Sequence, residues 1–404
     1  MTFHPRMALI LAGLAIGLPS AAEDSSQSMF KFRGFLTLGA THSNLKDADF
    51  PSTAIQPSGA GYSRSVDFGG ETHLGLQADA QFTPWLSGVL QVVTERVWND
   101  RFQPRIMMAS LKAQPLPWLS IKAGRMPISS YLISDYKKVG YSITWVRPPA
   151  EIYQANPIDY VDGGEIGVQH NLGSVAMNWQ LQLGSGRTKL ADKPRFEFIA
   201  KDMYSLSLAA VYGSSSFRTY YIRFRGTIDS EALSGPTGWF SLMRTPGFPY
   251  YNPQLADKYD YRGRRGSYLT MGYTYDPGTW FVSAEVARIR GEESILAFNT
   301  GSYLTGGMRL GEWTPYLVVA RNHTDSDLLS SHPIIQAILN TRRQAQTSYS
   351  AGVRWDFRQN MDLKLQFDHV KNDAGSRGVV VNMQPGFQLG ASYNLITACF
   401  DMVF

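Results

Sequence analysis

The most restrictive feature of this chain is an alternation of apolar and polar residues that recurs in runs of about ten, clearest in NLITACFDMVF at 394–404. If that segment is extended, Ile396, Ala398, Phe400, Met402 and Phe404 share one face, while Thr397, Cys399 and Asp401 share the other. Successive side chains of a strand point to opposite faces, so the pattern reads as a strand with one apolar face. A buried core would accept such a face, and so would lipid. The same pattern predicts strands near 29–41, 71–82, 86–96, 105–114, 118–126, 163–172, 174–184, 203–213, 217–227, 266–276, 279–290, 301–310, 314–323, 346–357, 361–371 and 393–404.

The connections decide between core and lipid. Short turns such as TPW (83–85), PLP (115–117), DPG (276–278) and RQN (358–360) alternate with much longer segments. Pro, Gly, Asp and Asn between alternating runs are hairpin signals. An even number of strands, joined by short turns and long loops in alternation, predicts an all-β transmembrane antiparallel β-barrel of sixteen strands. Its short turns are periplasmic and its long loops extracellular. Trp85, Trp118, Trp280, Trp313 and Trp355 lie in or near the short turns, as an interfacial aromatic girdle requires. A soluble sandwich has no reason to gather tryptophan at one end of its strands.

Composition agrees: charged residues are 18%, aromatics 13%, and there are 37 glycines and one cysteine. Without disulfides, an exported chain needs another source of stability, which a closed hydrogen-bonded sheet supplies. The net charge of +5 is too small over this length to imply a nucleic-acid partner. At the start, the apolar run 7–18 follows Arg6 and precedes the small residues of PSAA. That order predicts a secretory signal over 1–22, cleaved after Ala22, with the barrel occupying 23–404. The apolar run is too short for a membrane helix, which takes about 20 residues.

The connection 127–162 is unlike a solvated loop. It carries Tyr131, Tyr136, Tyr141, Trp145, Tyr153 and Tyr160 beside a rigid Pro148–Pro149 pair. Long loops without regular structure are usually functional or disordered, and aromatic density argues against disorder. The expectation is a loop folded inward to narrow the channel; an external loop packed on other loops is the alternative. The loop candidates for a constriction are Asp135, Lys137, Lys138, Trp145, Arg147, Glu151, Tyr153 and Asp159. Parity and height place Arg33, Lys122, Arg223, Arg321, Glu285 and Asp368 on the pore wall, with wall arginines expected opposite loop carboxylates.

The stretch GRMPISSYLISDYKKVGYSITWVRPPAEIY (124–153) resembles the constriction-loop region of a porin-like family of Gram-negative proteobacteria. The matching residues are Gly124, Arg125, Ser134, Asp135, Val139, Gly140, Tyr141, Trp145, Val146, Arg147, Pro148, Pro149, Glu151 and Tyr153. The last strand is similar to the C-terminal signal of outer-membrane barrels, in which Phe400, Met402 and Phe404 would be read by the barrel-assembly machinery. The resemblance implies a porin of the bacterial outer membrane, passing small hydrophilic solutes or ions by diffusion. A channel specific for an anionic small molecule is the alternative. It also implies contact with outer-membrane lipid and lipopolysaccharide, and it leaves a homotrimer open.

Other motifs carry less. GSGRTK (184–189) lacks phosphate-loop spacing and is expected to be an external loop. The histidines share no metal-ligand spacing, so no metal or cofactor is expected. His323 and Ser326 in NHTDSD (322–327) suggest a hydrolase only by proximity in sequence, and no enzyme is expected.

Overall fold

The structure, a computed structural model, describes residues 28–191, 194–292, 299–324, 330–340 and 342–404. The expected signal segment lies outside the described residues, as do 325–327. Sixteen long strands form one sheet. They are β1 (Phe30–Ser43), β2 (His73–Thr83), β3 (Leu86–Arg96), β4 (Phe102–Leu116), β5 (Leu119–Pro127) and β6 (Tyr160–Leu172). Then come β7 (Val175–Ala191), β8 (Phe196–Tyr212), β9 (Ser215–Ser230), β10 (Arg264–Tyr275) and β11 (Trp280–Gly291). The last five are β12 (Asn299–Met308), β13 (Trp313–Thr324), β14 (Gln346–Arg358), β15 (Met361–Asn372) and β16 (Ser392–Val403).

Each strand pairs antiparallel with the next, and β1 pairs with both β2 and β16, from Phe35↔Val403 to Ser43↔Leu395. The ring is therefore closed. At the seam the Gly34 N–H donates to the Phe404 carbonyl at 2.7 Å, and the Phe404 N–H donates to Gly34 at 2.9 Å. Closure satisfies every strand edge, a condition hydrocarbon imposes because it supplies no hydrogen-bonding partner.

The faces follow the predicted alternation. Leu76, Leu90, Leu181, Leu206, Met271, Leu304, Leu365 and Ile396 are exposed on the outside. Their neighbours Thr270, Thr305, Gln366 and Thr397 are buried inside. Trp85, Trp118, Trp280 and Trp313 are exposed at the short-turn rim, and Trp313 stacks on Trp355 with centroids 5.0 Å apart. No helix among the described residues is long and apolar enough to cross a membrane; the crossing elements are strands.

Above the long-loop rim, three short helices, Trp239–Met243, Pro253–Tyr259 and Pro333–Asn340, pack together through Phe240, Met243, Ala256, Ile335 and Leu339. GSGRTK is not a loop. β7 continues through it to Ala191, paired with β8, and the ribbon carries bulges between Gly184 and Gly186 and between Lys201 and Tyr204.

Two wall assignments are overturned. Arg223 and Arg321 point outward, as does Arg225. On β9 the inward residues are Arg218, Tyr220 and Ile222, while on β13 they are Tyr316, Val318 and Ala320. Polar-in, apolar-out parity holds only where water is inside and lipid outside. Toward the long-loop rim the inner face meets folded protein and the outer face leaves the hydrocarbon, so the contrast reverses.

Lipid-facing and lumen-facing substitutions should therefore separate sharply. Leu76→Arg, on a side chain 54% exposed to the exterior, should destabilise the barrel in bilayers by about 2 kcal/mol or more. The adjacent Gln77→Arg should cost far less. Urea titrations in lipid vesicles, followed by tryptophan emission, read both.

Candidate functional site: the 128–159 segment and the inner wall

The segment linking β5 to β6 lies against the inward faces of the strands, held there by polar anchors. Arg147 is the most connected. Its Nε donates to Glu71 at 2.5 Å, its Nη1 to Asp368 at 2.8 Å, and its Nη2 to Thr397 Oγ1, while the guanidinium lies 5.0 Å from the Phe50 ring centroid. All three side chains of this ion triad are nearly solvent-free. One cation between two carboxylates leaves the triad with a net negative charge, offset in part by the Gln366 amide, whose Nε2 donates to Asp368 at 2.7 Å. The planar fork of arginine suits such multiple acceptors, which a lysine point charge would not.

The neighbouring residues repeat the principle. The Trp145 indole N–H donates to Thr305 Oγ1 at 3.0 Å, and its ring meets Tyr303 edge-on at 5.7 Å. Glu285 accepts from the Leu132 N–H and from the Tyr153 hydroxyl, each at 2.9 Å. Glu151 accepts from Gln346 Nε2 at 2.7 Å. Lys364 donates to the Gly140 carbonyl at 2.7 Å, and Arg354 to the carbonyls of Tyr141 and Ile143. A Cβ on Gly140 would sit 1.9 Å from Asp401 Oδ1, so the close approach of segment to wall requires glycine there. Around these bonds Tyr131, Ile133, Ile143, Ile152 and Ile158 join Tyr220, Tyr268, Phe281, Tyr316 and Val318 in one apolar cluster.

A second set of charges sits on the other side of the segment, toward β3–β6. Lys137 donates to Asp159 at 2.6 Å, Lys138 to Glu95, and Arg105 to Glu95 at 2.7 Å. Arg218 bonds Asp135 at 2.6 Å, and Lys122 bonds Glu165 at 2.8 Å. Burial alone would raise the Asp159 carboxyl, but Lys137, Lys138 and Arg105 outweigh it and hold it well below the usual carboxylate range. For Asp135 burial is likewise overcome, chiefly by Arg218. Among the described residues no cation pairs with Glu151, and burial prevails over its Gln346 bond, so its pKa is raised.

The sequence-predicted residues thus divide. Asp135, Lys137, Lys138 and Asp159 share the segment's half-buried charged side with Lys122. Trp145, Arg147, Glu151 and Tyr153 are buried anchors instead of lining an opening, and Glu285 and Asp368 are their partners on the wall. Arg33 points inward near the short-turn rim, 65% exposed and 3.7 Å from Asp79. Arg223 and Arg321 are outside. Sequence reasoning missed Glu71, Arg105 and Arg218. Glu71 precedes its strand, Arg105 lies beyond the β4 irregularity at Met107 that breaks parity, and Arg218 falls on the face that parity assigned to lipid. Among the described residues no cluster of side chains fits a metal ion.

A closed sixteen-strand ring with this segment inside is an outer-membrane β-barrel fold. Solved structures share it. The outer membrane channel DcaP of Acinetobacter baumannii superposes with a TM-score of 0.55 at 11% identity, covering 95% of this chain and 100% of that one. An anion-selective porin from Comamonas acidovorans gives 0.52 at 13%, covering 93% and 99%. In-vitro folded OmpT, an outer membrane protein of Vibrio cholerae in its trimer form, gives 0.52 at 11%, covering 93% and 99%. No protein-family model matches the chain, and no curated protein matches it.

Two measurements probe the anchors. Arg147→Met strands two buried carboxylates and should cost about 3–5 kcal/mol, read as a lower temperature for loss of the compact form on gels. Glu151→Gln should behave oppositely. A carboxyl whose pKa is raised on folding contributes stability that is full below its unfolded pKa of about 4.3 and lost as pH rises through the folded value. The variant should therefore unfold at a higher temperature than wild type at pH 8, with the difference vanishing toward pH 4.

Proposed function

We propose that the protein is an outer-membrane porin in which small hydrophilic solutes or ions diffuse through a water-filled lumen narrowed by the 127–162 loop. The observation that carries this reading is the unequal coverage of the inner wall. Inward groups on β10–β16 are buried under the segment, whereas Gln77, Asp79, Ser110, Lys112 and Lys122, on β2, β4 and β5, keep part of their surface. The passage runs along that uncovered arc. The charged side of the loop, Asp135, Lys137, Lys138 and Asp159, faces it. The aromatic Trp-Val-Arg-Pro-Pro stretch fixes the loop to the opposite wall and so sets the width without touching solute.

A second reading, a channel preferring anionic small molecules, draws on one further observation. Along the arc stand Arg105, Lys112, Lys122, Lys137 and Lys138, against Asp79, Glu95, Asp159 and Glu165, while Arg218 on β9 pairs with Asp135 and donates to the loop carbonyls of Tyr131 and Leu132. Lys112 and Lys122 are direct cross-strand partners, and like charges so placed are unfavourable. Glu165 pairs with Lys122 and also accepts from Gln182 Nε2 at 2.8 Å. A ring with excess positive charge lowers the barrier for anions.

Assembly as a trimer and recognition of Phe400, Met402 and Phe404 by the barrel-assembly machinery belong to the same proposal. The trimer draws support from the trimeric neighbour, and at the seam the Phe404 ring occupies the space that a Cβ on Gly34 would fill. The test is electrical. Purified protein in planar bilayers under a salt gradient should give stepwise ohmic conductance with a reversal potential on the anion side. Lys112→Glu with Lys122→Glu should move that potential toward the cation side. An absence of conductance would reject the porin reading, and an unmoved potential would reject the anion reading alone.

A further inference from the structure

His73, the first residue of β2, is half-buried on the inner wall, and its ring lies between two backbone carbonyls. Nδ1 is 2.7 Å from the Glu71 oxygen, and Nε2 is 2.6 Å from the Lys138 oxygen. A carbonyl only accepts, so both ring nitrogens have to donate. A neutral imidazole carries one N–H and one lone pair, and only the imidazolium donates from both nitrogens. The second of these bonds crosses from the wall to the charged side of the loop. It meets the backbone of the residue whose side chain reaches Glu95.

The surroundings suit a positive ring. In one inward row of cross-strand neighbours Asp401 stands opposite Thr37, Thr37 opposite His73, and His73 opposite Glu95. Opposite charges so placed attract. The carboxylates near the ring also hold cations: Arg147 at Glu71, Lys138 and Arg105 at Glu95, and Lys364 at Asp401. Histidine differs from these lysines and arginines in losing its charge within about pH 5 to 8. The Phe35 ring meets His73 edge-on at 6.0 Å and packs with Val93, Met107 and Val139 of the loop. That contact is apolar, so the ring bond supplies the polar part of the tie.

We infer that His73, as the imidazolium, is a positioning residue for the charged side of the loop. It ties the Lys138 carbonyl to the wall and so sets where Lys137 and Lys138 stand. Loss of one ring proton leaves a lone pair against a carbonyl oxygen at 2.6 or 2.7 Å. The ring must then leave either Glu71 or Lys138, and the double tie is broken. The loop's charged side is thereafter held by its ion pairs and by Val139. The tie itself is a property of the fold, while its effect on permeation rests on the porin reading.

The test is hydrogen exchange on the full barrel in detergent, read by mass spectrometry on peptides covering 136–144. Rates are taken at about pH 5.5 and about pH 8.5, which bracket the usual loss of histidine charge, and are corrected for the intrinsic pH dependence of exchange. In wild type these peptides should open roughly tenfold more readily at the higher pH. His73→Gln has a single donor group and no charge at either pH, so it should open at both as wild type does at the higher. Glu151→Gln removes a second titrating group of the loop and should keep the wild-type difference. It decides the question where His73→Gln does not fold. Equal exchange of wild type at both pH values overturns the tie. So does a difference that persists in His73→Gln or vanishes in Glu151→Gln. In planar bilayers the reversal potential of wild type should move further between the two pH values than that of His73→Gln. Equal movement overturns the role in permeation and leaves the exchange result standing, while an absence of conductance rejects the porin reading alone.

Discussion

A polypeptide backbone in hydrocarbon has nothing to bond except itself, and this constraint shapes the rest of the molecule. An open sheet would expose two edges to lipid, at several kilocalories for each unsatisfied group. The pairing of β1 with β16 removes both, and the mutual bonds of Gly34 and Phe404 extend the ladder to the last residue. Once the ring is closed, parity around it is no longer free. A slip of one residue at the seam would turn β16 inside out, placing Asp401 in lipid and Phe400 among the buried charges.

Closure also creates a problem that the 128–159 segment addresses. A ring of sixteen strands is too wide for wall side chains to fill, and an aromatic loop in that space must give up solvent around its own backbone polar groups. The wall supplies the missing partners. Lys364 and Arg354 donate to the carbonyls of Gly140, Tyr141 and Ile143, Glu285 accepts from the Leu132 N–H, and Gln366 accepts from the Val146 N–H. Many inward charges of the wall are thus occupied with holding protein. Those on the uncovered arc are not so occupied, which is why a charge tally over the whole inner face does not describe the part of it that stays open.

Strand number, turns and the tryptophan girdle were legible in the sequence because each rests on a local rule: alternation, turn chemistry and an interfacial preference. The site was legible in part. Asp135, Lys137, Lys138 and Asp159 are charged residues in a long loop, and sequence alone marks them as candidates. It could not separate them from Arg147 and Glu151, since whether a loop charge faces water or a buried partner depends on residues between 76 and 250 positions away. Arg223 and Arg321 failed for a different reason. Parity needs an environment label for each face, and those labels change with height along a strand that outruns the membrane. On β7 and β8 the bulges at Gly184–Gly186 and Lys201–Tyr204 add a separate break, because each shifts the phase of the rest of its own strand.

The same two facts explain why the loop's aromatic motif and its charged side need not change together. The anchors sit in a dry, close-packed interface where geometry is exacting: Gly140 admits no Cβ, Trp145 reaches one hydroxyl, and Arg147 satisfies three acceptors at once. Substitutions there act on whether the loop is held at all. Lys137, Lys138 and Asp159 keep part of their surface, and their pairs lie beside Arg105, which is close to both Glu95 and Asp159. Removing one charge leaves the others able to rearrange around the remaining carboxylates. Position is fixed by one side of the loop and electrostatics by the other, so the charge of the open side can be altered without unseating the loop.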